Sequence, residues 1–254
     1  MNFAIIVAAG KSRRMTKSTN KVFLPLLNKP MIYYAIKVFQ DCDLIDEIVV
    51  VAQKNDIKRM NEIKQKYGFT KIKNIVEGGN ERQDSVYNGL MSISAKNNDI
   101  VVVHNGSNPL VNKNEVIDCI NATKQHGAAV VGFQLKDTLK KTNNNFVEKT
   151  IDRSNIYQAQ TPQAVKYGLF VEAFKNAKKN KLKVTDDISL VEALGKKAKI
   201  VECSYENIKI TTDDDLKIAE AILVKRSNST GSRIGFGQDS HRFSKDKNKK
   251  LVLG

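Results

Sequence analysis

Cysteine is scarce: the three residues Cys42, Cys119 and Cys203 lie too far apart for a disulfide framework or a metal-ligand pattern. That usage predicts a reduced, cytoplasmic setting. No apolar run approaches the roughly 18 to 20 residues that a membrane helix needs, so no spanning segment is expected. The N-terminus, MNFAIIVAAGKSRRM, places its apolar stretch ahead of its positive charges. A secretory signal has the reverse order, so this stretch reads as a buried strand entering a basic loop. Zinc-finger spacing and an aromatic-interleaved RNA signature are both missing. The net charge of +15 is therefore read as lysines spread over solvated helix faces, such as Lys175 to Lys183, ahead of nucleic-acid binding. A Walker A loop and a G-x-G-x-x-G fingerprint are missing too, which argues against P-loop and dinucleotide-binding readings.

What is present is an ordinary globular composition, with 41% hydrophobic and 27% charged residues in 254. That length holds one large domain, or one domain and a fragment of another. Short β-branched runs at Phe3 to Ala8, Glu47 to Ala52, Ile72 to Glu77, Ile100 to His104 and Ala128 to Phe133 read as strands. Helices are expected between them near Met31 to Phe39, Asp56 to Tyr67, Arg82 to Ser94 and Lys113 to Gln125. Such alternation predicts an α/β, Rossmann-like, mainly parallel sheet with helices on both faces. Asp137 to Gln163 breaks the rhythm and reads as a protruding hairpin around Thr142 to Asn145, an arm suited to a neighbouring subunit. Helices near Gly168 to Lys179 and Asp186 to Leu194, a strand at Lys199 to Cys203, and a helix from Asp213 to Lys225 capped by Thr212 follow. The expected division is a domain over 1–225, with the arm at about 137–160, a small polar linker at 226–232, and a further segment at 233–254.

In a sheet of this kind ligands sit beyond the carboxyl ends of the strands. The first such loop is Ala8-Ala9-Gly10-Lys11-Ser12-Arg13-Arg14-Met15, with Lys21 soon after. Glycine allows backbone N–H groups to approach phosphate, and arginine and lysine neutralise a triphosphate. The second, Glu77-Gly78-Gly79-Asn80-Glu81-Arg82-Gln83-Asp84-Ser85, offers paired glycines plus Arg82 and Ser85 to a base or ribose. The third is His104-Asn105-Gly106-Ser107-Asn108-Pro109; Asp137-Thr138 with Asp152-Arg153 form a fourth group, and Lys209 lies in a fifth loop. Each alone reads as readily as an ordinary polar turn.

In this order the stretches AAGKSRRM, EGGNERQDSV, LKDTLK, TIDRSNIYQAQTPQ, VTDD and ENIKITTDDDLKIAE resemble the 2-C-methyl-D-erythritol 4-phosphate cytidylyltransferases of the non-mevalonate isoprenoid pathway. The resemblance spans nearly all of the first 225 residues and implies a nucleotidyltransferase fold, CTP and methylerythritol phosphate as substrates, Mg²⁺, and a homodimer joined through the arm. Carried onto this chain it makes Arg14, Lys21 and Lys209 catalytic, and Ala8, Ala9, Gly10, Gly79, Asn80, Arg82, Ser85 and Asn105 nucleotide-binding. Thr138 and Arg153 match acceptor-phosphate groups that the family supplies from a partner's arm. Two departures stand out. Asn20 occupies a usual proline position, which points to altered loop stiffness. The third loop should run closer to D-A-A-R-P, so Asn105 replaces a carboxylate associated with Mg²⁺ and Asn108 replaces an arginine. An amide oxygen ligates Mg²⁺ without charge, and weaker metal binding is the expectation.

The tail RIGFGQDSHRF resembles the opening of 2-C-methyl-D-erythritol 2,4-cyclodiphosphate synthases, and Asp239 and His241 match two ligands of that family's divalent metal, commonly zinc. The resemblance implies a bifunctional protein of which 233–254 is a truncated second domain, with an incomplete metal site. The rival readings are a ribitol 5-phosphate cytidylyltransferase, a sugar 1-phosphate nucleotidylyltransferase (which shows a longer glycine-rich first loop), and a catalytically weakened nucleotide-binding homologue favoured by Asn105 and Asn108.

Overall fold

The computed structural model describes residues 1–10 and 20–228. The chain opens with β1 (Asn2–Val7), a small hairpin of β2 (Pro25–Leu26) and β3 (Lys29–Pro30), then α1 (Met31–Gln40) and β4 (Glu47–Ala52). It continues through α2 (Ile57–Lys66), β5 (Ile72–Glu77), α3 (Arg82–Met91), β6 (Ile100–Asn105), α4 (Lys113–His126) and β7 (Ala128–Gln134). An excursion of β8 (Leu139–Asn143) and β9 (Phe146–Ile151) precedes β10 (Tyr157–Lys166). After these come α5 (Tyr167–Lys179), α6 (Ile188–Glu192), β11 (Lys199–Glu202) and α7 (Asp213–Asn228).

Seven strands form one sheet in the order β11-β7-β10-β6-β1-β4-β5. Every pairing is parallel except the two that β10 makes, antiparallel to β6 on one side and β7 on the other. The expected mainly parallel α/β sheet is what the chain builds. Alternation along β1 explains the two cores. Ala4 and Ile6 point to one face, against Ile32, Ile36 and Phe39 of α1 and Val116, Cys119 and Ile120 of α4. Phe3 and Ile5 point to the other, against Val86 and Leu90 of α3, Phe170 and Phe174 of α5 and Leu190 of α6. Helix ends follow local chemistry. Asn112 and Glu115 form a reciprocal capping box on α4, which stops at Gly127 with φ of 87°. Thr212 Oγ1 accepts from Asp215 N at 3.2 Å, the N-cap expected for the last helix.

Some expectations need correction. The whole of Asp137 to Gln163 is expected to leave the sheet, yet Tyr157–Lys166 is a central strand. Proline has no N–H for a ladder, and the structure accommodates it where the β10–β7 register shifts, between Ala159 opposite Gly132 and Gln163 opposite Val130. The arm itself is a hairpin whose turn residues Asn144 and Asn145 have φ of 47° and 66°, a conformation asparagine tolerates better than most. The helix expected at Asp186 to Leu194 shrinks to Ile188–Glu192, because Asp186 turns its carboxylate onto Ser189 N instead of joining the helix. At the end of the domain α7 runs on to Asn228, into the stretch read as linker from 226. No helix among the described residues is long and apolar enough to cross a membrane.

Candidate nucleotide-binding site

The carboxyl ends of β1, β4, β5 and β6 come together at one edge of the molecule, where β1 is flanked by strands reached in opposite directions. A cavity of about 530 Å³ opens there. Its walls include Ala8, Ala9 and Gly10 after β1, Gly79, Asn80, Arg82 and Ser85 around the start of α3, Asn105 at the end of β6, and Lys21 and Lys209. Every described residue expected to bind nucleotide or act in catalysis therefore lines one cavity. Arg14 lies outside the described residues, as do Asp239 and His241.

Each wall has a local cause. Gly78 and Gly79 turn the chain where a Cβ would stand 2.4 Å from Ala9 Cβ and 2.2 Å from Asp84 Cβ, so no side chain fits at either position. Gly78 N donates to Ala52 O at 2.8 Å, and Gly79 N donates to Ser85 Oγ at 3.1 Å. Ser85, expected to meet a base or ribose, is 2% exposed and spends its hydroxyl on Glu81 O at 3.0 Å. It shapes the loop from beneath. Glu81 and Asp84 close a capping box that fixes the first turn of α3 beside the cavity.

Lys21 begins a short 3-10 turn, and its Nζ donates to Ile210 O at 2.7 Å, which ties the loop after β1 to the segment carrying Lys209. Asn20 does more than alter stiffness. Its φ of −55° is one that proline also adopts, so the backbone path is unchanged. Its amide adds tethers proline lacks: Nδ2 donates to Ala8 O at 2.8 Å and to Asp56 Oδ2 at 2.9 Å.

Arg82 is the central cation. Nη1 and Nη2 grip the Asp187 carboxylate at 2.9 and 2.6 Å, while Nε donates to Asn105 Oδ1 at 3.2 Å. Burial works against its charge and Asp187 more than compensates, so its pKa stays above the ordinary value. The VTDD stretch pointed to Asp186 and Asp187 without giving either a role; geometry supplies it. Ser107 and Thr211, which lie in the third loop and in the ENIKITTDDDLKIAE stretch but were given no role, also line the cavity.

His104 sits beneath the third loop, fully buried. Its Nε2 lies 2.9 Å from Asn108 O, which only accepts, so Nε2 carries the proton and Nδ1 accepts from Thr161 Oγ1 at 3.0 Å. Burial pushes its pKa down to about 4, and the ring stays neutral around pH 7. Thr138 and Arg153, the expected acceptor groups, are not brought to this cavity by their own chain. Both are exposed on the arm, and Arg153 Nη1 donates to Leu135 O at 2.7 Å.

A doubly wound sheet with a glycine-lined, cation-rich cavity at its carboxyl edge and a projecting hairpin arm describes a nucleotidyltransferase. The model of the 2-C-methyl-D-erythritol 4-phosphate cytidylyltransferase family (IspD) matches residues 2–225, and the chain belongs to that family. A 2-C-methyl-D-erythritol 4-phosphate cytidylyltransferase of Clostridium acetobutylicum is 46% identical over 229 residues, covering 89% of this chain and 99% of the relative. The crystal structure of 4-diphosphocytidyl-2C-methyl-D-erythritol synthase from Anaerococcus prevotii superposes with a TM-score of 0.77 at 29% identity, covering 88% of this chain and 98% of that one. The bifunctional IspDF of Campylobacter jejuni superposes with a TM-score of 0.70 at 28% identity over 85% of this chain, which spans 53% of that larger protein.

Proposed function

We infer that this chain transfers a cytidylyl group from CTP to 2-C-methyl-D-erythritol 4-phosphate and releases pyrophosphate. The observation that carries this reading is the single cavity that unites Lys21, Lys209, Arg82, Asn105 and the Gly78-Gly79 turn, in a member of this family. A phosphate oxygen of the acceptor attacks the α-phosphorus of CTP. A new P–O bond forms as the bond to the β-phosphate bridge breaks, and the electron pair leaves with pyrophosphate. Negative charge concentrates on the non-bridging oxygens, so the protein's task is positioning and fixed positive charge. Lys21, with Lys209 and Arg14, steadies the α-phosphate. Backbone N–H groups of Ala8, Ala9 and Gly10 receive the triphosphate, and Gly79, Asn80 and Arg82 hold base and ribose. Thr138 and Arg153 hold the acceptor phosphate of the neighbouring subunit's cavity, which makes a homodimer the active unit.

For Mg²⁺ the donors are a poor fit. No group of three His, Cys, Asp or Glu capable of holding an ion exists among the described residues. Asn105 Oδ1 already accepts from Arg82, and the lining carboxylate of Glu81 lies 3.6 Å from Lys183 Nζ. Among the described residues the cavity lining offers the metal no unengaged carboxylate, and no step of the transfer is assigned to it; Mg²⁺ would arrive as a counter-ion of CTP. We assign 1–225 to the transferase. The segment 233–254 is proposed as the start of a cyclodiphosphate synthase domain, where Asp239 and His241 would be two ligands of a divalent-metal site, commonly zinc.

The test is pyrophosphate release from CTP and Mg²⁺ with methylerythritol 4-phosphate and ribitol 5-phosphate offered separately. Release with the erythritol acceptor alone is expected. Release with ribitol alone would move the activity to that acceptor, and release with neither from a chain that binds CTP would favour a weakened homologue.

A further inference from the structure

Six residues close a ring beside the nucleotide cavity, four of its links between side chains and two through backbone groups. Arg82 grips Asp187, and Asp187 N donates to Gln163 Oε1 at 2.8 Å. Gln163 Nε2 donates to Gln160 O at 3.3 Å, and Gln160 Oε1 accepts from Asn108 Nδ2 at 3.3 Å. Asn108 Oδ1 accepts from Asn105 Nδ2 at 3.4 Å, and Asn105 Oδ1 accepts from Arg82 Nε at 3.2 Å. Asp187, Gln163 and Asn108 are 1%, 2% and 0% exposed, so water is poorly placed to replace a lost partner.

Direction is what makes the ring informative. Asn105, Asn108 and Gln163 each use both an accepting and a donating end, so the orientation of Asn108 fixes that of Asn105. Asn105 can aim its oxygen at Arg82 only because Asn108 takes its nitrogen. A carboxylate at 105 would face Asn108 Oδ1, acceptor against acceptor. Turning Asn108 over would set its oxygen against Gln160 Oε1, so Gln160 would have to turn as well. A guanidinium at 108 would supply the donors that a carboxylate at 105 lacks.

We propose that Asn108, which does not line the cavity, is a positioning residue that holds Asn105 Oδ1 on Arg82 Nε and so sets the Arg82 guanidinium at the nucleotide cavity, and that Asn105 and Asn108 are a matched neutral pair standing in for a charged one. This rests on reading the cavity as the CTP site. Fixed by the ring, Arg82 meets its ligand already oriented, and little ordering remains to be done on binding.

The experiment is a cycle of N105D, N108R and N105D/N108R in the full chain, with kcat, the KM for each substrate and calorimetric CTP affinity. Each single change is expected to raise the CTP KM about tenfold, with kcat within about threefold and the acceptor KM unmoved, and the double variant to return within about threefold of the parent. Asn108→Leu, which keeps volume and removes the amide, should repeat the rise in CTP KM should N108R fold poorly. Losses that multiply in the double variant, or an unchanged CTP KM in both N108R and N108L, would overturn the proposal. Calorimetry reads the cycle without acceptor. A parent chain that binds CTP and releases no pyrophosphate therefore defeats the assigned reaction while leaving the pairing measurable, and thermal unfolding midpoints of the four chains read the same coupling without any ligand.

Discussion

Lys21 Nζ and the carbonyl oxygen of Ile210 lie 2.7 Å apart although 189 residues separate them. One hydrogen bond thereby joins the first loop of the sheet to the segment before its last helix, and sets Lys21 in the same cavity as Lys209. A lysine held in this way brings its charge to a fixed point, and pre-set charge stabilises a crowded phosphate most. Lys21→Ala is expected to lower kcat about 10² to 10³-fold, as removal of one oriented donor does elsewhere. The melting temperature should move little. A fully active Lys21→Ala protein, assayed by pyrophosphate release, would remove Lys21 from the reaction.

The Gly78-Gly79 turn makes a second prediction. An added Cβ at Gly78 would meet Ala9 Cβ at 2.4 Å, so Gly78→Ala must push apart the two loops that frame the cavity. CTP affinity should fall about tenfold or more, since a small displacement of a binding loop is costly. An unchanged CTP affinity in Gly78→Ala, measured by calorimetry, would contradict this account.

The clearest strands in the sequence were those whose burial is continuous, such as Ile48 to Ala52 and Val101 to Val103, because a strand covered on both faces must be apolar throughout. Tyr157–Lys166 escaped notice for the opposite reason. Its first half is polar, Pro162 interrupts it, and only the register shift against β7 makes the proline tolerable. The cavity was legible in part. Lys21, Lys209, Gly79 and Arg82 belong to stretches with a recognisable pattern. The role of Asp187 was hidden because it depends on a contact with Arg82, 105 residues away, and that of Ser85 because its residue type does not show that its hydroxyl turns onto Glu81 O rather than toward a ligand. Pattern finds residue types; it does not say which of them face the ligand and which hold the ones that do.

His104 predicts how stability depends on pH. Its folded pKa is pushed down to about 4 from an ordinary 6.5. The unfolded chain therefore takes up a proton that the folded one refuses between those values. The contribution is fully present above pH 6.5 and is lost as pH falls toward 4, amounting to about 3 kcal/mol. Glu115 acts in the other direction: burial raises its carboxyl, so acid relieves a cost there and offsets part of the loss. Urea unfolding at pH 7, 5.5 and 4.5 should show a stability decline that is shallower in His104→Gln. An identical slope in the two proteins would mean that another group governs acid sensitivity.

Arg153 and Lys21 together test the arm. Arg153 is exposed on the arm of its own chain and lies outside the cavity lined by Lys21, so an acceptor role requires that it serve a second subunit. Arg153→Ala and Lys21→Ala should each be nearly inactive as pure dimers. In a mixed dimer, the chain with intact Lys21 receives its arm from the chain with intact Arg153, and one complete site forms. Random exchange of subunits in an equal mixture makes about half the dimers mixed, so about a quarter of all sites should regain activity. The measurement is pyrophosphate release after co-refolding or co-expression. Recovery near that fraction supports an arm acting on its neighbour. No recovery, in a mixture shown by differential tagging to contain mixed dimers, would mean that the arm serves its own chain or that Arg153 does not meet the acceptor.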